Sequence, residues 1–162
     1  MKYLISSYIP MLHNEPLTKL ILPDSCDYVG TNSIYNCTSL KTIDISALDT
    51  NNINNLYNTF GGCSSLTEII FGNINTSNVT CFDLMFNGCS SIKSIDFSKF
   101  NTSNVLTMEH MFNNCTSLES VDLSRFDTAK VTKMNYLFAI AACSDSDYCQ
   151  YLQELLVLSI YS

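Results

Sequence analysis

The chain has 162 residues, of which 46% are hydrophobic and 14% are charged. This composition provides a core for about one domain and does not fit a disordered chain. The net charge of −7 argues against electrostatic binding to nucleic acid or anionic membranes. No run of about 18 apolar residues is present, which argues against insertion into a membrane.

We interpret residues 1–16 as an N-terminal lead or cap. They contain one lysine and a short apolar stretch that Ser6, Ser7 and Pro10 interrupt. No clear small-residue cleavage site follows, so neither a signal peptide nor an anchor is evident in the sequence.

Residues 17–162 are predicted to form a repeat domain of about five to six units. The first unit begins with an L-x-x-L-x-L pattern at Leu17 and is three residues shorter than the next. Four cysteines then stand 26 residues apart and each opens a copy of one pattern, such as C-TSL-K-TIDIS or C-SSI-K-SIDFS: Cys37, Cys63, Cys89 and Cys115. Fixed periods of this length mark solenoids, in which each unit buries its apolar side against its neighbours.

Each copy is predicted to contain a strand and a short helix. With its cysteine as position 0, a copy has apolar residues at positions 3, 6, 8 and 11. The alternation at 6 and 8 indicates a strand whose position 7 faces the other way. Apolar residues at positions 16, 19, 22 and 23 are typical of one helical face. Gly62, Gly88 or Asn114 precedes the next cysteine, as expected of a left-handed residue that ends a helix.

The predicted fold is therefore an α/β leucine-rich-repeat solenoid. Parallel strands lie about 4.8 Å apart, whereas packed helices need about 8–10 Å. The difference predicts a short, curved horseshoe with parallel strands on the concave face and short helices on the convex face. An irregular insertion is expected near residues 139–148, and the strand pattern resumes after Cys149.

The cysteine period favours buried thiols over disulfides or zinc. Free cysteine behaves as a small hydrophobe, and the single stacked cysteines lack the paired spacing and histidines of zinc sites. Cys81 takes the place of Asn55, Thr107 and Lys133 in the other copies and is expected to be exposed. Whether Cys143 and Cys149 pair is left open.

The segment from Phe100 to Phe138, FNTSNVLTMEHMFNNCTSLESVDLSRFDTAKVTKMNYLF, resembles the repeat of BspA-like leucine-rich-repeat surface proteins. The first unit, with ILPDS and IYNCTSL, resembles the shorter sister repeat of the same family. The resemblance implies a cell-surface or secreted adhesion protein whose partner is a host matrix protein or another microbe's surface. The resemblance implies no catalytic residue and no cofactor for this chain.

The candidate binding site is the outward side of the predicted strands. Position 7 carries Asp44, Ile70, Asp96 and Asp122, and we add Glu68, Ser98 and Ser124 beside them. We expect this surface to contact a protein or glycan. A calcium ion between carboxylates and a merely solvated face are the alternatives, but Ile70 separates Asp44 from Asp96 by about 10 Å of strand spacing, and we assign no metal ligand.

No catalytic residue is predicted. His13 and His110 lie in unrelated contexts, and no phosphate loop, zinc-protease motif or nucleophile elbow is present. A rank of threonines at Thr50, Thr76, Thr102 and Thr128 is interpreted as helix entry, with ice binding as the alternative. The competing function is structural: the chain would be an assembly or spacer fragment of a larger surface protein, and it would self-associate end to end through an uncapped, apolar C-terminal edge at residues 155–160.

Overall fold

The computed structural model describes residues 17–23, 26 and 29–139. In this part of the chain the repeats form successive coils that stack in parallel. Three short strands occur, namely β1 (Lys19–Ile21), β2 (Thr42–Asp44) and β3 (Glu68–Ile70). They form one parallel sheet in the order β1-β2-β3. The predicted lead (1–16), all but the first residue of the expected insertion (139–148), Cys149 and the C-terminal edge lie outside the described residues.

The strand prediction is confirmed in part. β2 and β3 lie at the predicted strand positions and pair in register, with Ile43 opposite Ile69 and Asp44 opposite Ile70. The next two copies do not form strands among the described residues, so the strand prediction is wrong for these two copies. The coils nevertheless keep their register, because the amides of Glu119 and Ser120 donate to the carbonyl of Lys93 as those of Thr67 and Glu68 donate to Lys41.

The predicted helices are wrong for the described residues, which contain none. At positions 19–25, which we call the turn side, alternate backbone N–H groups instead donate to the next coil. Leu84 N–H reaches the carbonyl of Glu109 at 2.9 Å, and Phe86 N–H reaches that of Met111 at 3.0 Å. The intervening amides close turns, as in Asn87 N–H to the carbonyl of Leu84 at 2.9 Å. Helical spacing of about 8–10 Å is therefore absent, and the argument for a curved horseshoe loses its basis.

Left-handed residues explain why the apolar period of three to four does not produce a helix here. Leu84 has φ 59° and Gly88 has φ 76°, and the corresponding residues of the other coils have the same sign of φ. A left-handed residue in mid-segment breaks the i to i−4 hydrogen-bond pattern that a helix requires. The apolar positions of the pattern still face the core.

The core lies between the strand side and the turn side. Cys63, Cys89 and Cys115 are fully buried, which confirms that the cysteines face inward, and their thiols donate to carbonyls of the preceding coil at 3.0–3.2 Å. The phenylalanines at position 23 form a continuous stack with ring centroids 5.2–5.8 Å apart: Phe60, Phe86, Phe112 and Phe138. Phe97 from the strand side contacts this stack edge-on at 6.0 Å.

The threonine rank links the coils and has no helix-entry role. Thr76 is 1% exposed; its hydroxyl accepts the N–H of Asn101 at 2.7 Å and donates to the carbonyl of Asn101 at 2.9 Å. Thr102 bonds to Asp127 in the same way. Because these hydroxyls are buried and engaged, they are not available to order ice.

Replacing Thr76 with valine should therefore destabilise the fold. Valine keeps the shape but leaves the N–H of Asn101 without its acceptor, which should cost about 1–3 kcal/mol in chemical denaturation. Thr67→Val is the control, since the exposed Thr67 hydroxyl makes only one bond, to the Lys41 carbonyl at 3.1 Å. Equal losses in the two variants would contradict the role assigned to the buried threonines.

The buried thiols should resist alkylation. Cys63, Cys81, Cys89 and Cys115 are free thiols; burial raises the pKa of Cys115 to about 12 and that of Cys89 well above its usual range. The thiolate is the reactive form, so iodoacetamide at pH near 8 should leave Cys63, Cys89 and Cys115 unmodified until denaturant is added. Rapid modification of Cys89 in the folded protein, measured by peptide mass spectrometry, would refute its assigned place.

Candidate binding face

The predicted site residues lie on one exposed surface of the strand side. Asp44 of β2 pairs with Ile70 of β3, and Asp96 and Asp122 follow at the same position of the next two coils. Glu68, Ile70, Asp96 and Asp122 are exposed, and Asp44 is half-buried. Ser98 and Ser124 are also exposed. We call these residues, together with Lys19 and Ile21 of β1, the strand-side face.

Each aspartate of this face caps its own turn. The N–H of Ser46 donates to Oδ1 of Asp44 at 2.9 Å, and its hydroxyl donates to the same atom at 2.6 Å. Ser98 N–H donates to Oδ1 of Asp96 at 2.8 Å, and Ser124 N–H donates to Oδ1 of Asp122 at 2.9 Å. The carboxylates are thereby held in a fixed orientation by turns of one type.

The capping hydrogen bonds lower the pKa of all three carboxyl groups. For Asp44 and Asp122 the largest cause is the hydroxyl of the following serine, at Ser46 and Ser124. For Asp96 the largest cause is the backbone N–H of Ser98. Hydrogen bonds to the charged form favour ionisation, so the three groups are protonated at lower pH than an ordinary aspartate.

The face is mixed in charge and includes apolar side chains. Lys19 lies close enough to lower the pKa of Asp44, and Lys99 and Arg125 act on Asp96 and Asp122 in the same way. Ile70 is 40% exposed in the same rank. The arrangement offers acceptors, donors and apolar contact together, as protein interfaces do, and is less suited to a purely cationic ligand.

Two members of the face were not predicted from the sequence. Ile21 is 36% exposed and pairs with Asp44, while Lys19 pairs with Thr42. The first unit lacks the cysteine from which positions were counted, so its register was not assigned. The signal was present, because Ile21 stands between the inward Leu20 and Leu22 as Asp44 stands between Ile43 and Ile45.

The described residues do not assemble a metal site. No cluster of three or more His, Cys, Asp or Glu side chains in residues 17–23, 26 and 29–139 is arranged to hold a metal ion. His110 stacks on Tyr136 with ring centroids 4.9 Å apart. Cys81, expected to be exposed, is half-buried, and its pKa rises to about 11, chiefly because of burial.

The geometry defines a parallel-coil repeat protein with an exposed, polar strand-side face. The family model described as a Mycoplasma protein of unknown function, DUF285, matches residues 31–151. The chain belongs to this family.

The chain was also compared with curated proteins and with solved structures. No curated protein matches the chain. Among solved structures, the chain is similar to the T. pallidum Leucine Rich Repeat protein (TpLRR), with a TM-score of 0.44 and 16% sequence identity over 87% of this chain and 84% of that chain. No helix in the described residues is long and apolar enough to cross a membrane.

The capping aspartates predict a specific loss of stability in acid. Their pKa values lie below the ordinary 3.8, so their contribution to stability is present above the unfolded-state pKa and is lost as pH falls through the folded-state pKa. Asn75 and Asn101 cap the same kind of turn with an amide oxygen, so Asp96→Asn with Asp122→Asn should keep the fold at pH 7.

Urea unfolding between pH 7 and pH 2 measures this effect. The double variant should be slightly less stable than the parent at pH 7, because an amide oxygen is a weaker acceptor than a carboxylate, and it should lose less stability on acidification, because asparagine does not titrate. If the parent and the double variant lost the same unfolding free energy on acidification, the capping hydrogen bonds would not depend on ionisation of Asp96 and Asp122.

Proposed function

We propose that the chain is a non-enzymatic recognition module of the BspA-like type that binds a protein or glycan through the strand-side face. The observation that carries the proposal is the continuous outward-facing rank of Ile21, Asp44, Ile70, Asp96 and Asp122, of which only Asp44 is half-buried. Outward side chains on this side have no part in the core, and the stack holds them at fixed spacing.

The chemistry of the rank favours a polar partner with some apolar surface. Pre-oriented carboxylates reduce the entropy lost on binding, and each uses Oδ1 for its turn and has Oδ2 for a partner. Ile21 and Ile70 add apolar contact beside them. Hydroxyl groups of a glycan and N–H groups of a protein are both suitable donors to such oxygens.

The resemblance to BspA-like proteins supports a more specific function, namely adhesion to host matrix proteins or to another microbe. It also supports a cell-surface or secreted location. Labelling of intact cells with an antibody to the chain tests the location, since a surface protein is labelled without permeabilisation.

The binding test compares two variants with the same change in charge. Asp96→Asn with Asp122→Asn alters the strand-side face, while Asp49→Asn with Asp127→Asn removes two exposed caps at position 12. The control caps have the same geometry, with N–H to Oδ1 distances of 3.0 Å. All four substitutions keep an oxygen acceptor for the turn.

The parent chain is screened against extracellular matrix proteins and a glycan array, and every ligand found is measured with both variants. The strand-side variant should lose at least about tenfold in affinity, or about 1.4 kcal/mol, and the control variant should bind as the parent does. Equal binding by both variants would refute the site, and an absence of any ligand would refute the partner class. Light scattering during the titration separates binding from self-association.

A further inference from the structure

A second surface stands out because bulky residues occupy a left-handed backbone position. Position 21 has φ between 53° and 59° in each of the five coils in the described part of the chain, at Asn32, Asn58, Leu84, His110 and Tyr136. Asparagine tolerates this conformation and histidine is also found there, whereas leucine and tyrosine are disfavoured. The last three coils therefore carry larger side chains where the first two carry asparagine.

Burial in the core does not explain why leucine, histidine and tyrosine occupy this left-handed position. Tyr136 is 59% exposed and stacks on His110 with an interplanar angle of 18°, while Leu84 is half-buried. Leu106, four residues before His110, is 46% exposed. Strained residues that are kept without burial are found preferentially at functional positions.

Carboxylates at position 20 flank this rank. Oδ1 of Asp83 accepts the Thr107 hydroxyl at 2.6 Å and the Glu109 N–H at 2.7 Å, and Oε1 of Glu109 accepts Nδ2 of Asn135 at 2.7 Å. Their negative field adds to burial in raising the pKa of Cys81. Lys133 is the only lysine or arginine at positions 18–21 of these three coils.

We propose that Leu84, His110 and Tyr136, together with Asp83 and Glu109, bind an arginine-bearing segment of a partner protein. A guanidinium group stacks on aromatic rings and pairs with carboxylates, and it does both better than an ammonium group. The surface offers a stacked, partly exposed aromatic pair at position 21 and two hydrogen-bonded carboxylates at the preceding position 20. It lies on the turn side, across the core from the strand-side face, and does not depend on the function proposed for that face.

The test places asparagine, which occupies position 21 in the first two coils, at position 21 of the last three. Leu84→Asn, His110→Asn and Tyr136→Asn are combined in one variant, and Asp96→Asn with Asp122→Asn serves as the control on the other side. Binding of oligo-arginine and oligo-lysine peptides of equal length is measured by calorimetry, and unfolding is followed by heat.

The asparagine variant should melt at least a few degrees higher, since backbone strain is relieved, and should lose at least about tenfold in affinity for oligo-arginine. The parent should prefer oligo-arginine to oligo-lysine, and the control should bind oligo-arginine as the parent does. Equal binding of the two peptides, unchanged binding by the asparagine variant, or lost binding in the control would each overturn the proposal.

Discussion

The structure depends on backbone hydrogen bonds that join each coil to the next on the turn side. Alternate N–H groups donate to the carbonyl 25 residues further along, at 2.7–3.1 Å, from Asn32 in the first coil to Asn114 in the fourth. An insertion or deletion between positions 19 and 25 of a coil would move these donors away from their acceptors, and unpaired buried backbone groups are costly. The spacing within this segment is therefore a requirement of hydrogen bonding as well as of packing, whereas the strand side also accommodates the shorter first unit, in which β1 pairs with β2.

The interior follows from the same spacing. Residues at one position of successive coils lie about one strand spacing apart, so identical side chains stack on one another. Phenylalanine at position 23 forms a column of rings, cysteine at position 0 bonds to the preceding coil, and threonine at position 13 bonds to the following one. Outside, the same regularity aligns the aspartates of the strand-side face and the larger residues at position 21.

Much of this could be predicted from the sequence. The inward positions, the buried cysteines and the outward rank of Asp44, Ile70, Asp96 and Asp122 followed from the period and from strand alternation. The helices could not be excluded in this way, because apolar spacing of three and four fits a helix and a series of turns equally well. The left-handed φ of Leu84 and Tyr136 is set by contacts with the neighbouring coil and not by the local preference of either residue. Ile21 was missed because its unit has no cysteine to mark the register.

Scalar coupling across hydrogen bonds, measured by NMR on the isotope-labelled protein, most directly tests the hydrogen bonds that join the coils on the turn side. This coupling connects an amide nitrogen to the carbonyl carbon that accepts its proton, and so identifies the acceptor. The Leu84 amide should couple to the carbonyl of Glu109, and the Phe86 amide to that of Met111. Coupling of these amides to Thr80 and Phe82, the acceptors that an α-helix would use, would contradict the account.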